Sequence, residues 1–313
     1  MKLLLASPRG FCAGVAMAVE CLEKALQLFP PPIFVFHEIV HNRSIVEQFS
    51  ARGVVFVDTM DAVPPGSTVV FSAHGVSPQI EQAASARGLR VIDATCPLVA
   101  KVHREARRFA DQGYVIALVG HEGHDEVVGV VGVAPDNIIV IESERDLNKL
   151  KAAQSNRFAY LSQTTLSVDD TRSLVQILRK QYPDIQGPPT EDICYATQNR
   201  QEALSALLPD AQLVLVIGSA NSSNTQRLVE LVLAYGTLAK RIEGPEEIAP
   251  AWFEGVETAA LTSGASVPEA LVWGTVDWLR ARMPIELEHR TLRKEHQQFP
   301  LPAALRASPK MHA

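Results

Sequence analysis

Three cysteines, Cys12, Cys96 and Cys194, occupy the same place in a pattern that the chain uses three times. An amphipathic stretch starts directly after each one, at Ala13, Pro97 and Tyr195. An apolar run follows and ends in a polar loop: IFVFHEIVHN, YVIALVGHEGH and LVLVIGSANSSN. These loops place His41, His124 and Asn224 at 29, 28 and 30 residues beyond their cysteines (41−12, 124−96, 224−194). A second apolar run ends in FSAHGVS, LSQTTLS or TSGASVP, with His74, Thr164 and Ser266 at 62, 68 and 72 residues (74−12, 164−96, 266−194). One unit used three times, presenting one thiol and two polar loops per copy, predicts a central site of pseudo-threefold symmetry.

The thiols point to a metal centre. Each cysteine opens a helical stretch, where the helix dipole favours thiolate, and Gly10 and Gly14 around Cys12 let backbone approach a bulky group. Structural zinc sites usually show paired cysteines such as C-x₂-C, and this chain has none. Single cysteines converging from three units suit an iron–sulfur cluster, which needs ligands on different sides. With three thiolates a [4Fe–4S] cluster keeps one iron open, free to act as a Lewis acid and electron donor. Cys21, the fourth cysteine, falls inside an amphipathic helix, where a thiol behaves as a small hydrophobe.

The loops supply the second half of the chemistry. His41, His74 and His124, with Thr164-Thr165, Ser222-Ser223-Asn224 and Ser266, form a ring of donors suited to a phosphate or diphosphate. Protonated histidines would add positive charge opposite that anion. Glu126, two residues beyond His124, would be repelled by the same anion, so its place suggests proton handling. His121 and His124 form H-x-x-H in a glycine-rich loop rather than on a helix, which argues against a zincin. His103, in the helix after Cys96, reads as solvent-facing.

The elements that must position these groups alternate strand and helix throughout, which predicts α/β units with mainly parallel sheets and ligand loops at the strands' carboxyl ends. The expected division is three similar small α/β domains in a trefoil arrangement: 1–95, 96–193 and 194–283, with 284–313 as a C-terminal tail given no chemistry. The N-terminal run LLLA is too short for a signal peptide, and no stretch approaches a membrane span. Together with unpaired cysteines, this places the protein in the cytoplasm, with no membrane partner. A net charge of −6 without long charged runs excludes a nucleic-acid surface.

PRGFCAGV, IVHN, FSAHGVS, DATCPLVAKVH, GHDEVVG, LSQTTLSVDDT, DICYATQNRQ, GSANSSNTQRL and GASVPEALV together resemble the 4-hydroxy-3-methylbut-2-enyl diphosphate (HMBPP) reductases, the IspH/LytB family. The matching stretches run in the family's order from Pro8 to Val272. The resemblance implies one [4Fe–4S] cluster per subunit, ligated by Cys12, Cys96 and Cys194. It implies reductive dehydroxylation of HMBPP to isopentenyl and dimethylallyl diphosphate, the last step of the methylerythritol phosphate route to isoprenoids. A ferredoxin or flavodoxin, with its NADPH-dependent reductase, would supply electrons singly. Carried across by motif, the diphosphate ligands would be His41, His74, His124, Ser222, Ser223, Asn224 and Ser266. Glu126 would belong to the proton relay, and Thr164 would orient the hydroxyl end. Ala220 and Thr225 depart from the proline and serine expected in their loop, and the tail is more basic than the family suggests. Two rival readings are a zinc hydrolase, which would be colourless and without redox activity, and an iron–sulfur sensor, which needs no diphosphate pocket.

Overall fold

A computed structural model describes residues 1–153 and 155–306. Strand β1 (Lys2–Ser7) leads into the Cys12 loop and helix α1 (Ala13–Leu28). The first lobe continues with β2 (Ile33–Phe36), α2 (Arg43–Ser50), β3 (Val54–Val57), β4 (Thr68–Phe71), α3 (Pro78–Ala86) and β5 (Arg90–Asp93). The second holds α4 (Pro97–Asp111), β6 (Val115–Val119), α5 (Asp125–Val133), β7 (Ile138–Ile141), α6 (Leu147–Ala152), β8 (Phe158–Ser162) and α7 (Val168–Gln181). The third holds α8 (Tyr195–Ser205), β9 (Leu213–Ile217), α9 (Ser223–Tyr235), β10 (Leu238–Ile242), β11 (Thr258–Ser263) and α10 (Glu269–Arg280). It is followed by β12 (Glu286–Thr291) and the short α11 (Ala303–Arg306).

The repeat in the sequence is a repeat in topology. The lobes are ordered β3-β2-β4, β7-β6-β8 and β10-β9-β11, the same second–first–third arrangement, and every pairing is parallel. The first strand of each lobe is apolar on both faces because each face has its own core. Ile33 and Val35 point into one core and Phe34 and Phe36 into another; Leu215 and Ile217 are likewise separated from Val214 and Val216.

Two sheets fall within the expected units 1–95 and 96–193, but the third draws strands from outside 194–283. β1 lies between β11 and β12 in a five-stranded sheet with the third lobe, and the tail supplies β12, pairing Ser7 with Thr291. A sequence pattern sees β1 only as a strand before Cys12; its partners lie more than two hundred positions away. The tail's last residues, 307–313, lie outside the described residues. No helix among the described residues is long and apolar enough to cross a membrane.

Candidate active site

The segment leading to each cysteine pairs with the third strand of a lobe. β1 lies beside β11, β5 beside β4, and Gln186, ahead of Cys194, is bridged to Ala159 of β8. Each cysteine amide then donates to the loop beyond that strand: Cys12 to the Ala265 carbonyl (3.1 Å), Cys96 to Ala73 (3.0 Å) and Cys194 to Thr164 (3.0 Å). The three cysteines therefore stand at the N-caps of α1, α4 and α8, and all three line one cavity.

Cys12 Sγ accepts from the Val15 amide (3.5 Å), and Cys194 Sγ from the Thr197 amide (3.3 Å), with the Thr197 hydroxyl 3.1 Å away. Burial nevertheless pushes Cys96 up to about 12 and Cys194 up to about 11, and the neighbouring thiols add to the shift. Cys96 and Cys194 are therefore poor thiolates alone, and a cationic centre would reverse that. This donor set fits an iron–sulfur group better than a hard cation. Gly14 forms part of the cradle: a Cβ there would stand 2.6 Å from Cys96 Sγ and 3.9 Å from Cys12 Sγ. Gly14→Ala is therefore expected to lower the iron bound on anaerobic reconstitution severalfold while the fold persists, read by iron analysis beside circular dichroism. Cys21 is fully buried in the α1 core, away from this cavity.

The imidazoles form a cluster on the polar side. His41 and His74 stack with centroids 4.0 Å apart, and His124 meets them edge-on at 5.4 and 6.0 Å. His124 caps α5, and its Nδ1 accepts from the Glu126 amide (3.2 Å), so in the neutral ring the proton sits on Nε2. Burial and the charge of His41 hold His124 down at about 4 and keep His74 well below the usual histidine range. His41 Nδ1 lies 3.2 Å from the Glu38 carboxylate, which the Asn221 amide also holds.

Glu126 is 2% exposed, and Thr164 clamps both its oxygens: the amide donates at 2.7 Å and the hydroxyl at 2.9 Å. Burial raises Glu126 to about 7, against the opposing pull of those bonds. The third lobe joins through side chains. Asn224 Oδ1 accepts from the Ala265 amide (2.9 Å), Ser266 donates to the His41 carbonyl (2.8 Å), and Thr165 donates to Ser223 (2.9 Å). Ser222 caps α9. All the site residues expected from sequence line this one cavity.

Two details differ from the sequence reading. The equivalent amide bonds match Thr164 to Ala73 and Ala265, so the counterpart of His74 and Ser266 is Thr165. Insertions after Cys96 and Cys194 had blurred that register. His103 is not solvent-facing: its Nε2 is buried without a partner between Gly75 and Gly129, and burial lowers it to about 4. The sequence pattern does not mark Asp125. Its carboxylate sits 2.7 Å from His37 and 3.8 Å from both His41 and His74. Burial opposes its ionisation, but the His37 bond and the surrounding imidazoles bring it down to about 2.

Residues 3–280 match the family described as LytB protein. The chain belongs to the LytB protein family. A Rhodopirellula baltica member, named 4-hydroxy-3-methylbut-2-enyl diphosphate reductase, is 52% identical over 307 residues, covering 98% of this chain and 96% of its own. A Nocardia farcinica member of the same name is 52% identical over 308 residues, covering 98% and 92%. Among solved structures, the E-1-hydroxy-2-methyl-but-2-enyl-4-diphosphate reductase of Plasmodium falciparum superposes with a TM-score of 0.94 at 37% identity. It covers 97% of this LytB chain and 96% of that one. A second, an (E)-4-hydroxy-3-methyl-but-2-enyl diphosphate reductase, gives 0.65 at 31% identity, covering 90% and 100%.

Proposed function

We propose that this LytB-family chain is a cytoplasmic oxidoreductase. It would convert HMBPP, with two electrons and two protons, to isopentenyl or dimethylallyl diphosphate and water. The observation that carries the reading is one cavity lined by three thiols, a neutral-range carboxyl and three imidazoles. Cys12, Cys96 and Cys194 would hold one [4Fe–4S] cluster, which when bound supplies single electrons and a Lewis-acidic position for the substrate hydroxyl. A ferredoxin- or flavodoxin-type carrier would renew those electrons.

The chain's own groups would do the rest. The Nε2–H of His124, the rings of His41 and His74, and the side chains of Ser222, Ser223, Asn224 and Ser266 bind and orient the diphosphate. Ser266 must first release the His41 carbonyl to donate. Glu126, with a pKa of about 7, still carries a proton near neutrality. With Glu126 protonated its bond to Thr164 reverses, and the Thr164 hydroxyl turns its hydrogen toward the leaving oxygen. The leaving group departs as water, and the allylic fragment takes its second proton on carbon, at one end or the other. Anaerobic protein given a reduced viologen dye should consume HMBPP and form both five-carbon diphosphates. Phosphate release without reduction would instead support a hydrolase, and reconstituted protein that leaves HMBPP unchanged would remove the reading.

A further inference from the structure

Arg200 has no part in that chemistry, yet it is fully buried. Its guanidinium donates to the Gly10 carbonyl through Nε (3.2 Å) and Nη2 (2.8 Å), and to the Ala196 carbonyl through Nη1 (2.8 Å). Gly10 is two residues before Cys12 and Ala196 two after Cys194, so one side chain ties together the starts of two cysteine-bearing segments.

Carbonyls do not neutralise a buried cation, and the carboxylate that does comes from the tail. Glu295 faces Arg200 at 3.3 Å and accepts from Asn199 Nδ2 at 2.8 Å. Arg293 reinforces the crossing by donating to Asn199 Oδ1 (2.9 Å) and pairing with Glu202. Beyond this point Phe299 reaches the cavity wall, and it joins Leu301 and the buried Leu305 on the first lobe's core, as do Phe11 and Val15. The tail thus leaves β12 in the third-lobe sheet, passes over α8, and reaches the first lobe by Leu305. An unpaired buried arginine is strongly unfavourable, while the pair is tolerated. Tail docking and the joining of Gly10 to Ala196 are therefore one event.

We infer that residues 292–301 form a strap that closes the thiol side of the cavity, latched by the Arg200–Glu295 pair and sealed by Phe299. With the strap docked Cys12 and Cys194 are only partly exposed, and lifting it opens them further to water and oxidants. The inference builds on the proposed reading of these cysteines, but its test does not require reductase activity.

In metal-free, reduced protein, maleimide labelling can be followed at each cysteine by peptide mass spectrometry. Cys21, buried in α1, reports global unfolding. In Glu295→Gln, and separately in Phe299→Ala, Cys12 and Cys194 should label at least about tenfold faster than in the native chain, as expected for local opening, with Cys21 unchanged. Unchanged rates at Cys12 and Cys194 in both variants would overturn the strap. So would Cys21 rising in step with them in both, because access would then come from general unfolding.

Discussion

Cys96→Ser is expected to reduce bound iron to background and abolish turnover, whereas Cys21→Ser keeps both. Cys96 stands at the N-cap of α4 and faces the cavity with Cys12 and Cys194, so its loss opens the triangle of soft donors at one corner. A serine hydroxyl is a hard, weakly acidic replacement and a poor ligand for iron–sulfur chemistry. Cys21 lies in the packed face of α1 with Leu22, Ala25 and Ile33, and burial pushes its thiol up to about 12, the behaviour of an apolar residue. Serine there buries a hydroxyl, a cost of about 1–3 kcal/mol that should appear as a lower melting temperature and not as lost iron. Iron analysis and anaerobic assay of the two variants side by side check the expectation. Equal iron loss in both would break the ligand assignment.

Glu126→Gln should retain diphosphate binding while kcat falls by roughly 10²–10⁴-fold, the usual contribution of a positioned general acid. Glutamine can accept from the Thr164 amide at one end and bond the Thr164 hydroxyl at the other, so the clamp at 2.7 and 2.9 Å has a near-isosteric replacement. What it lacks is a transferable proton. The sign of the pH dependence follows from the same burial. As the proposed acid Glu126 must hold a proton, and its pKa is raised to about 7, so native kcat/KM should decline as pH rises through that value, and the variant should lose that limb. A variant with near-native kcat would take Glu126 out of the relay.

The apolar runs were legible because a parallel strand buried on both faces carries its own signature, and β2, β6 and β9 fall where those runs lie. The cysteine triangle was legible because it repeats. The cysteine offsets led to the right loops but mismatched Thr164 with His74, since register within a loop is fixed by backbone hydrogen bonds and not by counting. His103 was misread because a helix surface buried by glycines of two other elements resembles a solvent face in one dimension. Glu295 and Phe299 were hidden for a related reason. They lie in a charged, proline-containing tail, and their partners Arg200 and the cavity wall are far away in sequence. Polar contacts between lobes, such as Asp125 with His37, leave no periodic trace at all.

The most direct test is to purify the protein anaerobically, count iron and acid-labile sulfide, and record its spectrum with and without HMBPP. About four irons and four sulfides per chain are expected for a cubane cluster, with a brown colour and a spectrum that changes when HMBPP is added. Colourless protein containing zinc, or a full cluster whose spectrum ignores HMBPP, would contradict a reductase that works at an open iron.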